Sequence, residues 1–518
     1  MISLLHPNQL ISYEELCALP EPSFLRDLGV LPVIDEITEL SQRPDIRPYF
    51  RYLSDGFETT KFRQDIFREL RNPVVRKIVS DFVAGIHEAE HFKANYESMP
   101  PHAPQKWKWL LDSIITYYSA LETLCIRFNE CTPKAIGLYY MHRYFYEILN
   151  VEEIKKLRMK AFNLKDEFDK MNFRITLNKD RATFSMIRDE KDYTAVLRTE
   201  YNHGRGGRGP VYFEEEVFPE NELSPLEEYV TGLFRNKNRL LFRDMETFLA
   251  LNREVVSPDV LEIVRELEFY LGVTAFAEEK KRLGFPFSLP KLEKNKEIDI
   301  RDCYDLSLAV TMENAEAMVF NDLYKSNYEK AILVIGPEKS GKTAIGRAFG
   351  QCFYFGMMGL MVPARMAKLP YVNRIFTVFG TESGEAHSEK KLRSELMLLN
   401  KAFSEIEDTR FVIILNELFS DIPTGDALYM NGDLLARLTG RHGIVFFITD
   451  TPEMGINRPE YVTLQSTVTG DGSNRRTYRI IRKNPEDLSY TDSIVDKYKL
   501  NYSHIDFRIK NNSGEAED

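Results

Sequence analysis

The pattern of apolar residues divides the chain into a helical first half and a mixed second half. Between residues 107 and 125, apolar side chains recur at steps of three and four, the spacing of one face of a long helix. Residues 151–170 continue this period with a thinner apolar stripe among charges, which is typical of a helix that projects into solvent. We therefore predict a helical core and an outgoing lever over residues 1–170.

The period changes after residue 170. Between residues 173 and 186, apolar and polar side chains alternate, as in strands that bury one face. Helical patterns return at two Ser-Pro steps, 224–225 and 257–258, where serine caps a helix and proline occupies its first turn. The chain is thus predicted to form a clamp-like β insertion over residues 171–222 and returning lever helices over residues 223–290.

Short apolar runs alternate with helical segments in the second half, after a Pro- and Lys-containing linker at residues 285–296. This alternation is typical of an α/β sheet. The runs are Ala331–Ile335, Arg374–Phe379, Phe411–Leu415 and Ile444–Thr449. We predict an α/β domain over residues 291–505 and a tail over residues 506–518, so the fold class is multidomain, α followed by α/β.

A complete G-x-x-x-x-G-K-T motif lies between the first of these runs and a helix. Its members are Gly336, Pro337, Glu338, Lys339, Ser340, Gly341, Lys342 and Thr343. In such a phosphate loop the lysine reaches the β- and γ-phosphates and the hydroxyl ligates Mg²⁺, while the helix N-terminus faces the anion. We predict ATP and Mg²⁺ as ligands. The alternative, a glycine-rich turn without a ligand, requires the Lys-Thr pair and both flanks to match by accident.

A phosphate loop needs a second polar element to hold Mg²⁺ and activate water. The buried run that ends at Leu415 is followed by Asn416 and Glu417. Glu417 is predicted to polarise the attacking water, and Asn416 to hold Mg²⁺ through a water molecule. An apolar strand that happens to end in two polar residues is the alternative.

Composition limits the partners. The net charge of −11 and the isoelectric point near 5.6 argue against a generally basic surface, so contact with DNA would need a local patch. Residues 171–209 contain eight Lys or Arg and five Asp or Glu, with Arg205 and Arg208 in a glycine-rich loop. This loop is either a flexible hairpin or a contact to a DNA backbone.

Five scattered cysteines without C-x-x-C spacing fit reduced thiols, and no run approaches the ~18 apolar residues of a membrane span. We expect a cytoplasmic protein without membrane contact. The H-E-x-x-H sequence at His87–His91 would suit zinc on a helix, but the motif gives no third ligand. An exposed helix is the preferred interpretation.

From about residue 322 to residue 500 the sequence resembles the ATPase domain of the MutS DNA mismatch repair family. The matching segments occur in family order: Gly336-Pro337 with the phosphate loop, Val362–Ala364, Arg374–Thr377, Asn416–Leu418 and Thr424–Ala427. The first half is similar in layout to the core, lever and clamp domains of that family, with a weaker match at Arg63–Phe67. Too few residues precede the core match for the family's mismatch-reading domain, so mismatch recognition by this chain alone is not expected.

The resemblance implies an ABC-type ATPase that forms a homodimer through its heads, each ATP meeting the partner's signature helix. Here that helix starts near Lys390 and Lys391, where the family usually has Ser-Thr. Asn416 replaces the family's aspartate, and Asp450 replaces a histidine after the next strand. Because both changes surround the γ-phosphate, slow hydrolysis is expected.

Two functions follow from these patterns. The first is an ATP-operated DNA clamp that closes on duplex or branched DNA. The second is an ATP-binding interaction protein of the same fold that acts on a protein partner with little affinity for DNA. An unrelated phosphate-loop enzyme such as a kinase is disfavoured, since no phosphoacceptor site or lid is suggested.

Overall fold

The computed structural model describes residues 2–7, 11–41, 44–100, 105–178, 181–187, 223, 225–336, 339–380, 388–406, 409–455, 459–468 and 476–483. Two compact units account for the packing. One, the helical unit, consists of residues 1–2 and 72–267; the other, the α/β unit, consists of residues 3–71 and 268–518. Pro337, Glu338, Arg205 and Arg208 lie outside the described residues. The predicted domain boundaries stay predictions.

The α/β unit begins with short helices. They are α1 (Tyr13–Ala18), α2 (Ser23–Asp27), α3 (Leu31–Ser41), a 3-10 helix (Pro44–Arg51) and α4 (Phe57–Leu70). Ser12 and Glu15 form a capping box at α1: the Ser12 hydroxyl accepts from the Glu15 amide at 3.2 Å, and the Ser12 amide donates to the Glu15 carboxylate at 2.9 Å. Half of the residues of helix α4 are buried, among them Arg63, which is 1% exposed.

Long helices build the helical unit. They are α5 (Pro73–Ser98), α6 (Lys106–Glu130), α7 (Ile136–Asn150), α8 (Glu152–Asp169), α9 (Pro225–Lys237), α10 (Arg239–Leu251) and the first part of α11 (Pro258–Arg282). Helices α5 and α6 approach so closely that a Cβ at Gly85 would lie 2.8 Å from the Cβ of Ala120. The apolar stripe predicted for α6 is confirmed, since its members Leu110, Leu121 and Cys125 are buried.

The predicted change to strands after residue 170 is also confirmed. Strands β1 (Asn172–Asn178) and β2 (Arg181–Ile187) form an antiparallel pair in which Asn172 lies opposite Ile187. Phe173 and Phe184 stack across this pair, with ring centroids 5.4 Å apart. The remainder of the predicted insertion, residues 188–222, lies outside the described residues.

Two sheets form the rest of the α/β unit. Their strands are β3 (Lys291–Glu293), β4 (Ile298–Cys303), β5 (Asn321–Lys325), β6 (Ala331–Ile335), β7 (Met366–Pro370), β8 (Arg374–Phe379), β9 (Phe411–Asn416), β10 (Gly443–Thr449), β11 (Tyr461–Val468) and β12 (Arg476–Arg482). The six-stranded sheet has the order β12-β11-β6-β10-β9-β8, with all neighbours parallel except β12 and β11. All four predicted strands of this sheet are confirmed.

The second sheet, ordered β3-β7-β4-β5, corrects the sequence interpretation. Residues 285–296 were expected to be a linker, but Lys291–Glu293 pair in parallel with β7. Three residues are too few to show a period, so the pattern gave no signal for this strand.

Helices α12 (Leu306–Val310), α13 (Lys342–Met357), α14 (Ser388–Glu405) and α15 (Thr424–Thr439) complete the unit, with a 3-10 helix at Pro452–Gly455. In the part of the chain that the structure describes, no helix is long and apolar enough to cross a membrane.

Candidate functional site

The phosphate-loop sequence joins β6 to α13 in a tightly packed turn. Gly341 has a φ of +92°, a conformation that disfavours other residues, and a Cβ there would lie 3.3 Å from the Tyr478 ring. A Cβ at Gly336 would lie 2.4 Å from the Ser466 hydroxyl. Gly341 is therefore favoured by its backbone conformation, and Gly336 by the close approach of the Ser466 side chain. Lys339, with a φ of +57°, completes the described part of the turn.

Lys342, the first residue of α13, is only 3% exposed. Its ammonium donates to the Gly336 carbonyl and lies 3.0 Å from a carboxylate oxygen of Glu417. An ammonium removed from water needs such partners, because an unpaired buried charge costs several kcal/mol. The structure thus brings together the two elements that the sequence analysis selected separately.

The end of β9 positions the polar pair. Asn416 is buried, and its side-chain oxygen has no hydrogen-bond partner among the described residues. Glu417 and Phe419 have φ angles of +50° and +58°, and the Glu417 amide donates to the Ile448 carbonyl of β10 at 3.0 Å. Non-glycine residues seldom adopt positive φ, and such residues cluster at functional sites.

Two helices hold this strained turn in place. A carboxylate oxygen of Glu395, on α14, accepts from the Phe419 amide at 3.1 Å, and burial raises the pKa of Glu395. Asn431, on α15, donates to the Leu418 carbonyl at 3.5 Å. Neither residue is predictable from the sequence, because a single Glu or Asn within a helical pattern carries no signal of its role.

The remaining predicted residues occupy different surroundings. Thr343 is partly buried in the first turn of α13, and the Ser340 hydroxyl is buried without a partner among the described residues. Asp450 follows β10 and is exposed; its carboxylate accepts from the Thr451 hydroxyl at 3.3 Å. Because β10 lies between β6 and β9, Asp450 belongs to the same edge of the sheet as the phosphate loop and Glu417.

The Lys391 side chain interacts with two residues of its own chain. Its ammonium donates to the Ser420 hydroxyl at 2.8 Å and lies 3.2 Å from the Asp421 carboxylate. Both partners follow the strained turn after β9. Lys390 belongs to the same helix, α14, but its side chain lies outside the described residues.

A cavity of about 310 Å³ adjoins the N-terminus of α13. Gly341, Ala344, Met318, Tyr304 and Tyr478 are among the residues that line it. Its lining is mainly apolar, so it can accept a flat, uncharged group beside the loop.

The histidines of the H-E-x-x-H sequence have partners on their own helix. His87 lies 3.2 Å from the Glu90 carboxylate, and His91 lies 3.3 Å from the Asn95 amide nitrogen. Among the described residues, no group of three His, Cys, Asp or Glu side chains could hold a metal ion. All five cysteines are free, in accord with the thiols predicted.

The residues at the phosphate loop fit Mg²⁺ and a nucleoside triphosphate. Lys342 supplies a buried cation, while the Asn416 oxygen and the Ser340 hydroxyl are buried polar atoms without partners in the described residues. A buried polar group in a native protein normally has a partner, so the Asn416 oxygen and the Ser340 hydroxyl are available to a polar ligand.

Fold and site together define a protein with a helical unit and an α/β unit, in which a strand-loop-helix turn and the end of a second strand meet at a buried lysine. The chain is similar to known MutS proteins, and this similarity supports a divergent MutS-like protein. It is 23% identical over 351 residues to the DNA mismatch repair protein MutS of Chlorobium phaeovibrioides, 25% over 285 residues to that of Christiangramia forsetii, and 25% over 294 residues to that of Microcystis aeruginosa.

These matches cover 63%, 53% and 54% of this chain, and 39%, 32% and 30% of the three relatives. The chain therefore spans less than two fifths of the length of the relatives it matches. No model of a protein family matches the chain.

Proposed function

We propose that this chain is a MutS-like, ATP-operated DNA clamp. ATP would join two copies through their ATPase domains, residues 291–505, and the levers would then move the clamp, residues 171–222, on duplex or branched DNA. The observation that carries the proposal is the meeting of the phosphate loop with the end of β9, where Lys342 lies 3.0 Å from Glu417. A cytoplasmic location suits this function.

Each residue at the loop has a role in the proposal. Lys342 would bind phosphate oxygens, and Thr343 and Asn416 would hold Mg²⁺, the latter through water. The bound metal and nucleotide supply charge neutralisation and a phosphoanhydride bond. Glu417 would orient a water molecule and accept its proton. The strained turn held by Glu395 fixes the direction of that carboxylate.

Hydrolysis is proposed to be slow. Asn416 accepts hydrogen bonds but brings no negative charge to a metal. Asp450 places an exposed carboxylate at the edge where γ-phosphate charge would develop, so it provides no donor to stabilise that charge. Binding and dimerisation, with hydrolysis as a slow reset, would then be the work of the protein.

Dimerisation would involve Lys390 and Lys391. For Lys391 to meet the γ-phosphate of a nucleotide held by the partner, it must leave Asp421, with which it pairs at 3.2 Å. Exchange of a carboxylate for a more highly charged phosphate is favourable for an ammonium. This exchange would couple nucleotide binding to the segment after β9.

The Lys342→Ala variant tests the site. We expect loss of ATP binding, because the change removes the buried cation of the loop, whereas Lys330→Ala, a change of an exposed lysine just before β6, retains it. Equilibrium titration with a fluorescent ATP analogue measures the ATP affinity of both variants.

Analytical ultracentrifugation with ATP, with and without branched DNA, then tests dimerisation. Equal affinity in parent and Lys342→Ala would contradict the proposal, and dimerisation without DNA binding would favour a protein partner.

A further inference from the structure

Three cationic side chains and a histidine line one small cavity in the α/β unit. They are Lys294, Lys296, Arg410 and His442, and the cavity has a volume of about 80 Å³. Arg410 and His442 directly precede β9 and β10, whose first residues lie side by side in the parallel sheet. The other ends of these strands carry Glu417 and Asp450. This basic cavity is therefore at the edge of the sheet opposite to the phosphate loop.

Neighbouring lysines have carboxylate partners, whereas among the described residues no carboxylate pairs with the lysines of the basic cavity. Lys291 lies 2.9 Å from Glu293, and Lys368 lies 2.8 Å from Glu297. Within the described ranges, no ion pair or hydrogen bond joins a carboxylate to the side chains of Lys294, Lys296, Arg410 or His442; the Lys294 ammonium lies 5.9 Å from the centroid of the Phe57 ring. Glu407 and Asp408, which precede Arg410 in sequence, are outside these ranges. Like charges gathered without counter-charge attract an anion.

Hydrogen bonds fix the backbone of the basic cavity. The Arg410 carbonyl accepts from the Asn373 amide at 2.7 Å. The Lys296 amide donates to the Asn327 side chain at 2.9 Å, and the Lys296 carbonyl accepts from the Lys325 ammonium at 2.9 Å. The cations therefore extend from a supported framework, which reduces the entropy lost when they bind a ligand.

We propose that the basic cavity is a second anion site, which takes one phosphate group from the backbone of a nucleic acid. The chain carries a net charge of −11, so a nucleic acid can approach it only through a local basic patch. The small volume suits a single tetrahedral oxyanion, and Lys and Arg contact phosphates without reading bases. The choice of nucleic acid as ligand rests on the proposed function; the anion site itself does not.

The nucleic-acid contact is tested by two matched double variants. Lys294→Gln with Lys296→Gln removes two cations from the cavity, and Lys291→Gln with Lys368→Gln removes two paired cations nearby, with the same change in net charge. Fluorescence anisotropy with a short DNA duplex at several salt concentrations gives the slope of log affinity against log salt. We expect the first variant to lower this slope by about one unit, the share of one phosphate, and the second to leave it unchanged. Equal effects of the two variants, or no effect of the first, would overturn the proposal.

A second measurement separates the site from the proposed function. A Lys342→Ala background removes the buried cation of the phosphate loop, and inorganic phosphate at constant ionic strength should still raise the thermal midpoint. Adding Lys294→Gln and Lys296→Gln should remove that rise. No rise in the background variant overturns the site, whereas a rise without DNA binding by the parent at low salt overturns nucleic acid as its source of phosphate. Failure of ATP binding in the parent would contradict the proposed function alone.

Discussion

The two units differ in where they place charge. In the helical unit, many ion pairs lie on helix surfaces at spacings of three and four, as between Lys77 and Asp81 at 2.9 Å, although Glu266 is buried. In the α/β unit, many charged side chains are buried: Arg63, Glu268, Lys280, Asp305, Lys325, Glu329, Lys342 and Glu395. Exposed pairs contribute little to stability, but a buried charge must keep its partners. Buried charged side chains thus help to stabilise the fold of the α/β unit, and substituting them should lower the free energy of unfolding far more than substituting exposed ones.

Arg63→Ala gives the largest expected loss of stability. The Arg63 guanidinium donates to the Leu5 carbonyl at 2.8 Å and to the Met358 carbonyl at 3.3 Å, so its removal leaves buried oxygens unpaired and opens a cavity. We expect the free energy of unfolding to fall by about 3–5 kcal/mol in urea denaturation. Arg63→Met keeps most of the volume and separates lost packing from lost hydrogen bonds. A loss below about 1 kcal/mol in Arg63→Ala would contradict the distinction between the units.

The free energy of unfolding should fall at acid pH because of His6, which Arg63 also contacts. The Arg63 guanidinium donates to Nδ1 of His6 at 3.3 Å, so the ring is neutral in the folded protein. Burial, and secondarily Arg63, lower the pKa of His6 to about 3 from its usual 6.5. Because the unfolded chain then binds the extra proton, this contribution is complete above pH 6.5 and is lost as pH falls toward 3.

Between pH 7 and pH 5 the loss from His6 should amount to about 2 kcal/mol. The difference between unfolding free energies at the two pH values, in the parent and in His6→Gln, measures it. Glutamine can still accept from Arg63 but cannot take up a proton in this range. Parallel pH profiles of the two proteins would show that His6 is not the group responsible.

Sequence patterns predicted the parts of the molecule that depend on period or on a fixed motif. The stripe of α6 and the runs of β6 and β9 are confirmed because they bury a regular face or a whole strand. The second sheet was missed because its strands mix polar with apolar residues, as in Ile298–Cys303, and are completed by pairing between distant segments, as when β3 pairs with β7. Contacts such as Arg63 to Met358 join residues that no local pattern relates.

The candidate site was likewise predictable only in part, where a fixed motif or an apolar run marked a residue. The motif pointed to Lys342, and the end of an apolar run pointed to Glu417, but their separation of 3.0 Å is a property of the sheet order β6-β10-β9. The role of Glu395 is recognised only from the structure, in which its carboxylate accepts a hydrogen bond from the Phe419 amide. The roles of the predicted site residues in catalysis stay predictions.

Glu417→Gln should strengthen nucleotide binding by about threefold to tenfold, an effect near 1 kcal/mol. The Glu417 carboxylate pairs with Lys342 at 3.0 Å, so phosphate oxygens that bind Lys342 must compete with it. Glutamine keeps the shape of the side chain and removes its charge. Titration with ADP excludes any contribution from hydrolysis, and Glu453→Gln, an exposed carboxylate after β10, is the matched control. Unchanged or weaker ADP binding by Glu417→Gln would show that this ion pair does not oppose the nucleotide.

Lys77→Ala tests the other side of the comparison and should have the smallest effect. The Lys77 side chain is 70% exposed, and its partner Asp81 also accepts from Arg127 at 2.6 Å. Hydrogen bonds from Lys77 and Arg127 lower the pKa of Asp81, so Arg127 remains to hold the carboxylate after the substitution. Since an exposed pair at this spacing contributes about 0.3–0.5 kcal/mol and alanine favours the helix, we expect a loss below about 0.5 kcal/mol in urea denaturation. A loss above about 1 kcal/mol would mean that surface charge supports the helical unit as strongly as buried charge supports the α/β unit.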